Sequence, residues 1–191
     1  MSLGTTGTGG VPAAMGIVVT EGRADLIARL GGDALLSSAR AVLTQAGTAR
    51  GSTDVAWSSV QALGTAVVLH DPLCPLVAAS VLAGAVADSA TGQVIVGSRP
   101  VTDTVKAVTH ETVQGSVDRE LVVEIASPVV LPPAVVAGLS DWPAVSDFPA
   151  LVTSLLERFP VRFVEVPPLG RRVTDEDALF VLTRMAELQR G

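Results

Sequence analysis

Asp71 directly follows the apolar run Ala66-Val-Val-Leu-His70, in a segment that closes at Pro75. A carboxylate in that place either caps the helix that Pro75 can open or serves a binding site. Arg171 and Arg172 stand together ahead of a helix start, where adjacent cations suit an anion. Arg119 lies between Asp118 and Glu120, and is either a ligand-binding cation or half of a solvated ion pair worth little. Asp103 and Thr104 form a turn pair or part of a site. His70 and His110 are isolated, which suits a structural place better than a metal or general-base role. The single cysteine, Cys74, cannot form an internal disulfide and reads as a small buried hydrophobe.

These side chains need elements to hold them. The β-branched run Gly16-Ile-Val-Val-Thr20 predicts a buried strand that ends in the charged turn Glu21-Gly-Arg-Ala-Asp25. Asp33 can cap a helix over 34–45, whose Leu35, Leu36, Ala39, Val42 and Leu43 fall near helical spacing and whose end Gly47 marks. Asp54 can cap a second short helix that runs through Leu63. The next strand is residues 66–70, after which Pro75 opens an apolar helix to Ala87, and Gln93-Val-Ile-Val-Gly97 is a further strand. This alternation predicts right-handed parallel crossovers. Between Arg99 and Val130 the Thr/Val-rich segments, broken at His110 and Gly115, predict an extended arm or antiparallel excursion. A helix returns at Pro132, residues 146–159 are amphipathic, and 161–166 form the last strand. Thr174 with Asp177 resembles a capping box for a final helix bearing Leu179, Leu182, Met185 and Leu188.

A chain of 191 residues can close one core, and 48% apolar residues with only 3% aromatics and no Tyr calls for Val, Leu and Ala layers. Buried parallel strands under helices fit that composition. A net charge of -6 and a pI near 4.8 leave no basic field for nucleic acid. The most apolar stretch, 121–139, is interrupted by Glu124, Pro128, Pro132 and Pro133, so no membrane span is expected. The opening MSLGTTGTGG has no positive n-region and no early apolar run, so residues 1–15 read as a flexible tail rather than a signal peptide. A cytoplasmic location is the expectation.

Four segments carry a family resemblance: Leu69-His70-Asp71-Pro72-Leu73-Cys74-Pro75, Pro100-Val101-Thr102-Asp103-Thr104-Val105-Lys106, Ser116-Val117-Asp118-Arg119 and Arg172-Val173-Thr174-Asp175-Glu176-Asp177-Ala178-Leu179. In order they resemble V-H-D-A-A-R-P, P-V-x-D-T-x-K, T-V-D-R and K-V-T-x-x-E-D-L of the 2-C-methyl-D-erythritol 4-phosphate cytidylyltransferase family. That family also has an Arg followed eight positions later by a hydroxyl residue before Pro, which Arg119 and Ser127-Pro128 match. The resemblance runs, more weakly, from about Gly16 to Leu188. It implies an α/β, Rossmann-like nucleotidyltransferase fold: one domain over 16–191, a mainly parallel sheet with helices on both faces, and a β-arm over 102–130 that joins two copies. It also implies transfer of CMP from CTP to methylerythritol phosphate with Mg²⁺, a reaction in which the protein supplies positive charge and positioning. By resemblance Thr104, Arg119 and Arg172 hold the sugar phosphate, with the Ser127 hydroxyl beside them, and Arg119 comes from the second copy of a homodimer. Asp71 holds the sugar hydroxyls or Mg²⁺, Lys106 adds field, and Gly16 and Ser59 lie on the nucleotide side.

The departures fall mostly on that nucleotide side. Cys74 stands in place of the motif's Arg. Pro12-Ala13-Ala14-Met15-Gly16 resembles the start of the family's Gly-rich loop, yet a strand-like run follows, and counting back from Gly31 puts Asp25 where a Lys is expected. Residues 45–54 look too short for the family's second strand. Residues 18–30 are therefore expected to present an acidic or neutral surface to a triphosphate. Two functional readings follow: an active cytidylyltransferase, or a non-catalytic relative that keeps the fold and a sugar-phosphate pocket.

Overall fold

The structure, a computed structural model, describes residues 14–101, 105–109, 112–118 and 122–188, with backbone only for 105–109 and 112–117. In chain order the strands are β1 (Ala14–Val18), β2 (Ala49–Arg50), β3 (Ala66–His70), β4 (Val94–Pro100), β5 (Val105–Thr109), β6 (Thr112–Val117), β7 (Val123–Leu131) and β8 (Val161–Glu165). Six of them form one sheet in the order β2-β1-β3-β7-β4-β8, while β5 and β6 pair with each other. Every neighbour in the large sheet is parallel except β7, which runs antiparallel between β3 and β4.

The pleat sorts the strand residues onto two faces. Met15, Ile17, Val67, Leu69, Val94, Val96, Val129 and Leu131 meet α3 (Trp57–Ala62), α5 (Pro133–Gly138) and α6 (Phe148–Leu156). Ala14, Ala66, Val68, Ile95, Ala126 and Val130 meet α2 (Asp33–Gln45) and α4 (Ala79–Ser89). The sheet is covered on both sides, which is why its strands read as near-continuous Val/Leu runs; each such side chain buried contributes about 1.5–3 kcal/mol. A third cluster sits past one end of the sheet. There α1 (Ala24–Arg29) brings Ile27 against Leu73, Val173 and Leu182 of α7 (Glu176–Leu188).

Several expectations are corrected. The second strand exists as the two residues of β2, and the first begins earlier and ends at Val18 rather than Thr20. Helix α4 begins at Ala79, not Pro75, because the chain after β3 first makes turns: Cys74 N donates to Asp71 O at 2.9 Å and Val77 N to Cys74 O at 3.3 Å. Asp33 is the first residue of α2 and Gly32, at φ 42°, occupies the cap position. Asp54 does not cap α3, since its carboxylate accepts from Ser52 Oγ at 2.7 Å. Asp175, not Thr174, caps α7 by accepting from Ala178 N at 2.7 Å, and these bonds hold its carboxyl below the usual range. Residues 123–131 belong to the central strand β7 rather than to an arm. Val129 and Val130 are consequently fully buried, while Val123 at the start of the strand is 43% exposed.

Candidate active site

Parallel strands deliver the loops at their carboxyl ends to one edge of the sheet, the usual place for a ligand crevice. Residues 19–23 leave β1, 71–78 leave β3 and 166–175 follow β8, while β7 enters from the same edge. Between them lies a cavity of about 540 Å³ lined by Arg23, Asp71, Glu124, Ser127, Phe148 and Arg172, among others.

Asp71 is its organising group. The side chain is 3% exposed, and Oδ2 accepts from Arg23 Nε at 2.9 Å and from Arg172 Nε at 3.0 Å. Oδ1 accepts from Leu73 N at 2.9 Å, so the carboxylate both shapes its own turn and joins two distant loops. Arg23 goes further, donating through Nη1 to the carbonyls of Glu21, Val145 and Ser146, with its guanidinium 4.9 Å from the Phe148 ring centroid. Val173 N donates to Leu73 O at 2.8 Å and fastens the Arg172 loop to the Asp71 turn.

Ser127 is fixed from two sides. Its Oγ lies 2.6 Å from His70 Nδ1 and accepts from Asp71 N at 3.2 Å. The Ser127–Pro128 peptide is cis, and a Cβ on Gly97 would come 2.7 Å from Ser127 O, so only glycine lets β4 approach there. His70 is fully buried and its Nε2 has no partner among the described residues. Burial lowers its pKa to about 4 against the raising effect of Asp71, so near neutral pH it is an uncharged ring. Burial, followed by the Asp71 charge, pushes the Cys74 thiol up to about 12, so this cysteine is an inert wall residue.

A second cavity, of about 280 Å³, adjoins through Glu124 and Arg172 and adds Arg99, Arg171 and Thr174. Arg171 Nε is buried there without a partner among the described residues. A third, of about 440 Å³, lies beside β2 and is lined by Gly16, Thr20, Arg40, Thr48, Arg50 and Ser52, among others.

Of the residues singled out from sequence, Asp71, Ser127 and Arg172 therefore meet in one crevice. Gly16 sits inside β1, where a Cβ would collide with Thr48 and Leu43, and lines the cavity by β2. Ser59 is exposed on α3 and lines none of these three cavities. Thr104 and Arg119 lie outside the described residues, and the side chain of Lys106 does too. Arg23 is the residue sequence reasoning missed. The signal was Gly22-Arg23 immediately after the first strand, the place where a Gly-rich loop with an Arg was expected. Asp25 is exposed in the first turn of α1 beside this Arg.

A divalent metal fits this donor set poorly. Asp71 spends Oδ2 on two guanidinium donors and Oδ1 on a backbone N–H, and two cations already flank it. Among the described residues no group of three or more His, Cys, Asp or Glu could hold a metal ion. His70, fully buried and bonded to Ser127 through Nδ1, does not line the crevice.

The fold has many solved likenesses. A 4-diphosphocytidyl-2C-methyl-D-erythritol synthase from Anaerococcus prevotii superposes with a TM-score of 0.64 at 13% identity, covering 93% of this chain and 100% of that one. The 2-C-methyl-D-erythritol 4-phosphate cytidylyltransferase of Thermus thermophilus gives 0.62 at 20%, covering 92% and 99%, and that of Francisella tularensis 0.57 at 14%, covering 90% and 98%. At such identities the likeness speaks for the fold. A comparison with curated protein sequences yields no match. The model of the 2-C-methyl-D-erythritol 4-phosphate cytidylyltransferase family matches residues 10–138, about two thirds of the sequence and including Asp71 and Ser127, and the chain belongs to that family.

Proposed function

We propose that this chain transfers a cytidylyl group from CTP to 2-C-methyl-D-erythritol 4-phosphate, with the sugar phosphate held in the crevice around Asp71. A phosphate oxygen of the acceptor attacks the α-phosphorus of CTP, a P–O bond forms, the bond to the bridging oxygen breaks, and pyrophosphate leaves with the electron pair. The chain's part in such a step is to place the acceptor and to meet charge with charge. The observation that carries the reading is the meeting of Asp71, Ser127 and Arg172 in one cavity of a chain of this family. Arg172, 35% exposed at its side chain and lining two cavities, orients the phosphate with Arg171 behind it. Ser127, buried and held by His70 Nδ1 and Asp71 N, forms part of the crevice wall behind the sugar. Family membership suggests a divalent metal, with Mg²⁺ the ion of this reading, but the poor fit at Asp71 leaves no step to route through it. Incubating the protein with CTP and methylerythritol phosphate tests the proposal: pyrophosphate and a cytidine diphosphate sugar should form together. Neither product above a blank, at protein concentrations approaching substrate, sinks it.

A second reading, binding of the sugar phosphate without transfer, is favoured by one observation. The turn after β1 and helix α1 offer a triphosphate the exposed side chains of Glu21, Asp25 and Arg29, while the remaining cation, Arg23, is buried against Asp71. Association of two copies through the β5–β6 hairpin belongs to the first reading, since it brings the partner's Arg119 to the crevice; sedimentation should give twice the chain mass of 19.5 kDa. No helix among the described residues is long and apolar enough to cross a membrane, and a buried unpaired thiol suits a reducing cytoplasm.

A further inference from the structure

We infer that the guanidinium of Arg23 stands where a resident divalent cation would otherwise sit at Asp71, so that the crevice is a metal-free site whose positive charge is built into the chain. Four observations converge. Arg23 is 4% exposed, so its charge is locked in place rather than drawn in from solvent. It donates through Nε to Oδ2 of Asp71 at 2.9 Å and through Nη1 to three carbonyls, which leaves the guanidinium no freedom to swing aside for an ion. Arg172 Nε takes the other position on the same oxygen, at 3.0 Å. Two guanidinium charges against one carboxylate leave the cluster with one net positive charge, which repels a dication and attracts an anion.

The carboxylate geometry points the same way. A divalent ion of the Mg²⁺ kind needs carboxylate oxygens it can approach at about 2.0–2.1 Å with room for its waters. Asp71 offers an oxygen with two charged donors on it and a second held by Leu73 N, under a side chain 3% exposed. Of the other acids in the cavity lining, Glu124 is 47% exposed and 3.9 Å from Arg99, and Asp147 caps α6 through Ala150 N.

Mn²⁺ serves as the probe, and its titration without nucleotide keeps this inference separate from cytidylyl transfer. The free-ion paramagnetic resonance signal should remain undiminished when the unmodified protein is added at millimolar concentration. Arg23→Gln, checked for folding by circular dichroism, should bind Mn²⁺ at least about tenfold more tightly than the unmodified protein, and the further change Asp71→Asn should remove that gain. Should Arg23→Gln fail to fold, the unmodified protein decides alone. Binding of Mn²⁺ by the unmodified protein that disappears in Asp71→Asn overturns the inference, as does a folded Arg23→Gln that gains none.

Discussion

The turn after β1 and the loop after β8 each send one arginine to the same oxygen of Asp71, at 2.9 and 3.0 Å, yet they differ in everything around that contact. The Arg23 side chain is 3% exposed and also holds three carbonyls, whereas that of Arg172 is 35% exposed and opens onto two cavities. Distance alone would call them equivalent. Burial and the number of other anchors make the first a structural clamp and the second a group that can still meet a ligand.

The largest expected effect comes from removing the clamp. Arg23→Ala leaves Asp71 short of a buried partner and should cost about 3–5 kcal/mol in urea unfolding, whereas Arg172→Ala, in a partly solvated pair, should cost less than about 1 kcal/mol. On the ligand side the order reverses: Arg172→Ala should raise the KM for the sugar phosphate about 10- to 100-fold, the worth of a hydrogen bond to a charged group. Equal stability losses in the two variants would break the comparison.

A second test sharpens the picture of the crevice floor. His70 is held neutral to about pH 4, against an ordinary value of 6.5, so between those values the unfolded chain binds a proton that the folded one refuses. Stability therefore rises with pH through this window, and this residue alone should account for a loss of about 2 kcal/mol on going from pH 7 to pH 5. His70→Gln should flatten that slope in unfolding curves; an unchanged slope would mean that other groups set it.

Much of the scaffold was legible in the sequence because β-branched runs and helical spacing mark buried elements well, and residues 66–70 have the strand bounds read from sequence. What misled were local signals overruled by side-chain commitments made elsewhere. Pro75 looked like a helix start, but Asp71 tightens the chain into turns first. Thr174 looked like a cap, but its hydroxyl donates to Asp175, which does the capping. In the site, Asp71, Ser127 and Arg172 could be found because each stands in a motif. Arg23 has only a weak local signal, Gly22-Arg23 after the first strand, because its meaning depends on a partner 48 residues away. Isolation in the sequence suits His70 to a structural place, and it is buried, but its link to Ser127 spans 57 residues and leaves no local trace.

Smaller effects follow at the nucleotide side. Asp25 is exposed, so Asp25→Lys should leave stability nearly unchanged and tighten CTP binding only about two- to fivefold, as expected for one screened surface charge. Restoring the missing motif cation by Cys74→Arg should fail, since Cys74 is 1% exposed and already faces a doubly charged neighbourhood; overpacking and a third buried charge should lower the melting temperature sharply. The native thiol should likewise resist a disulfide reagent until the protein unfolds.

The most direct test of the account is a phosphorus resonance assay of CTP and methylerythritol phosphate with the unmodified protein and with folded Arg172→Ala in parallel. The account predicts that pyrophosphate and the cytidine diphosphate sugar appear together with the unmodified protein and are strongly reduced with the variant at low acceptor concentration. Product formation at the same rate in both, or none in either, would contradict it.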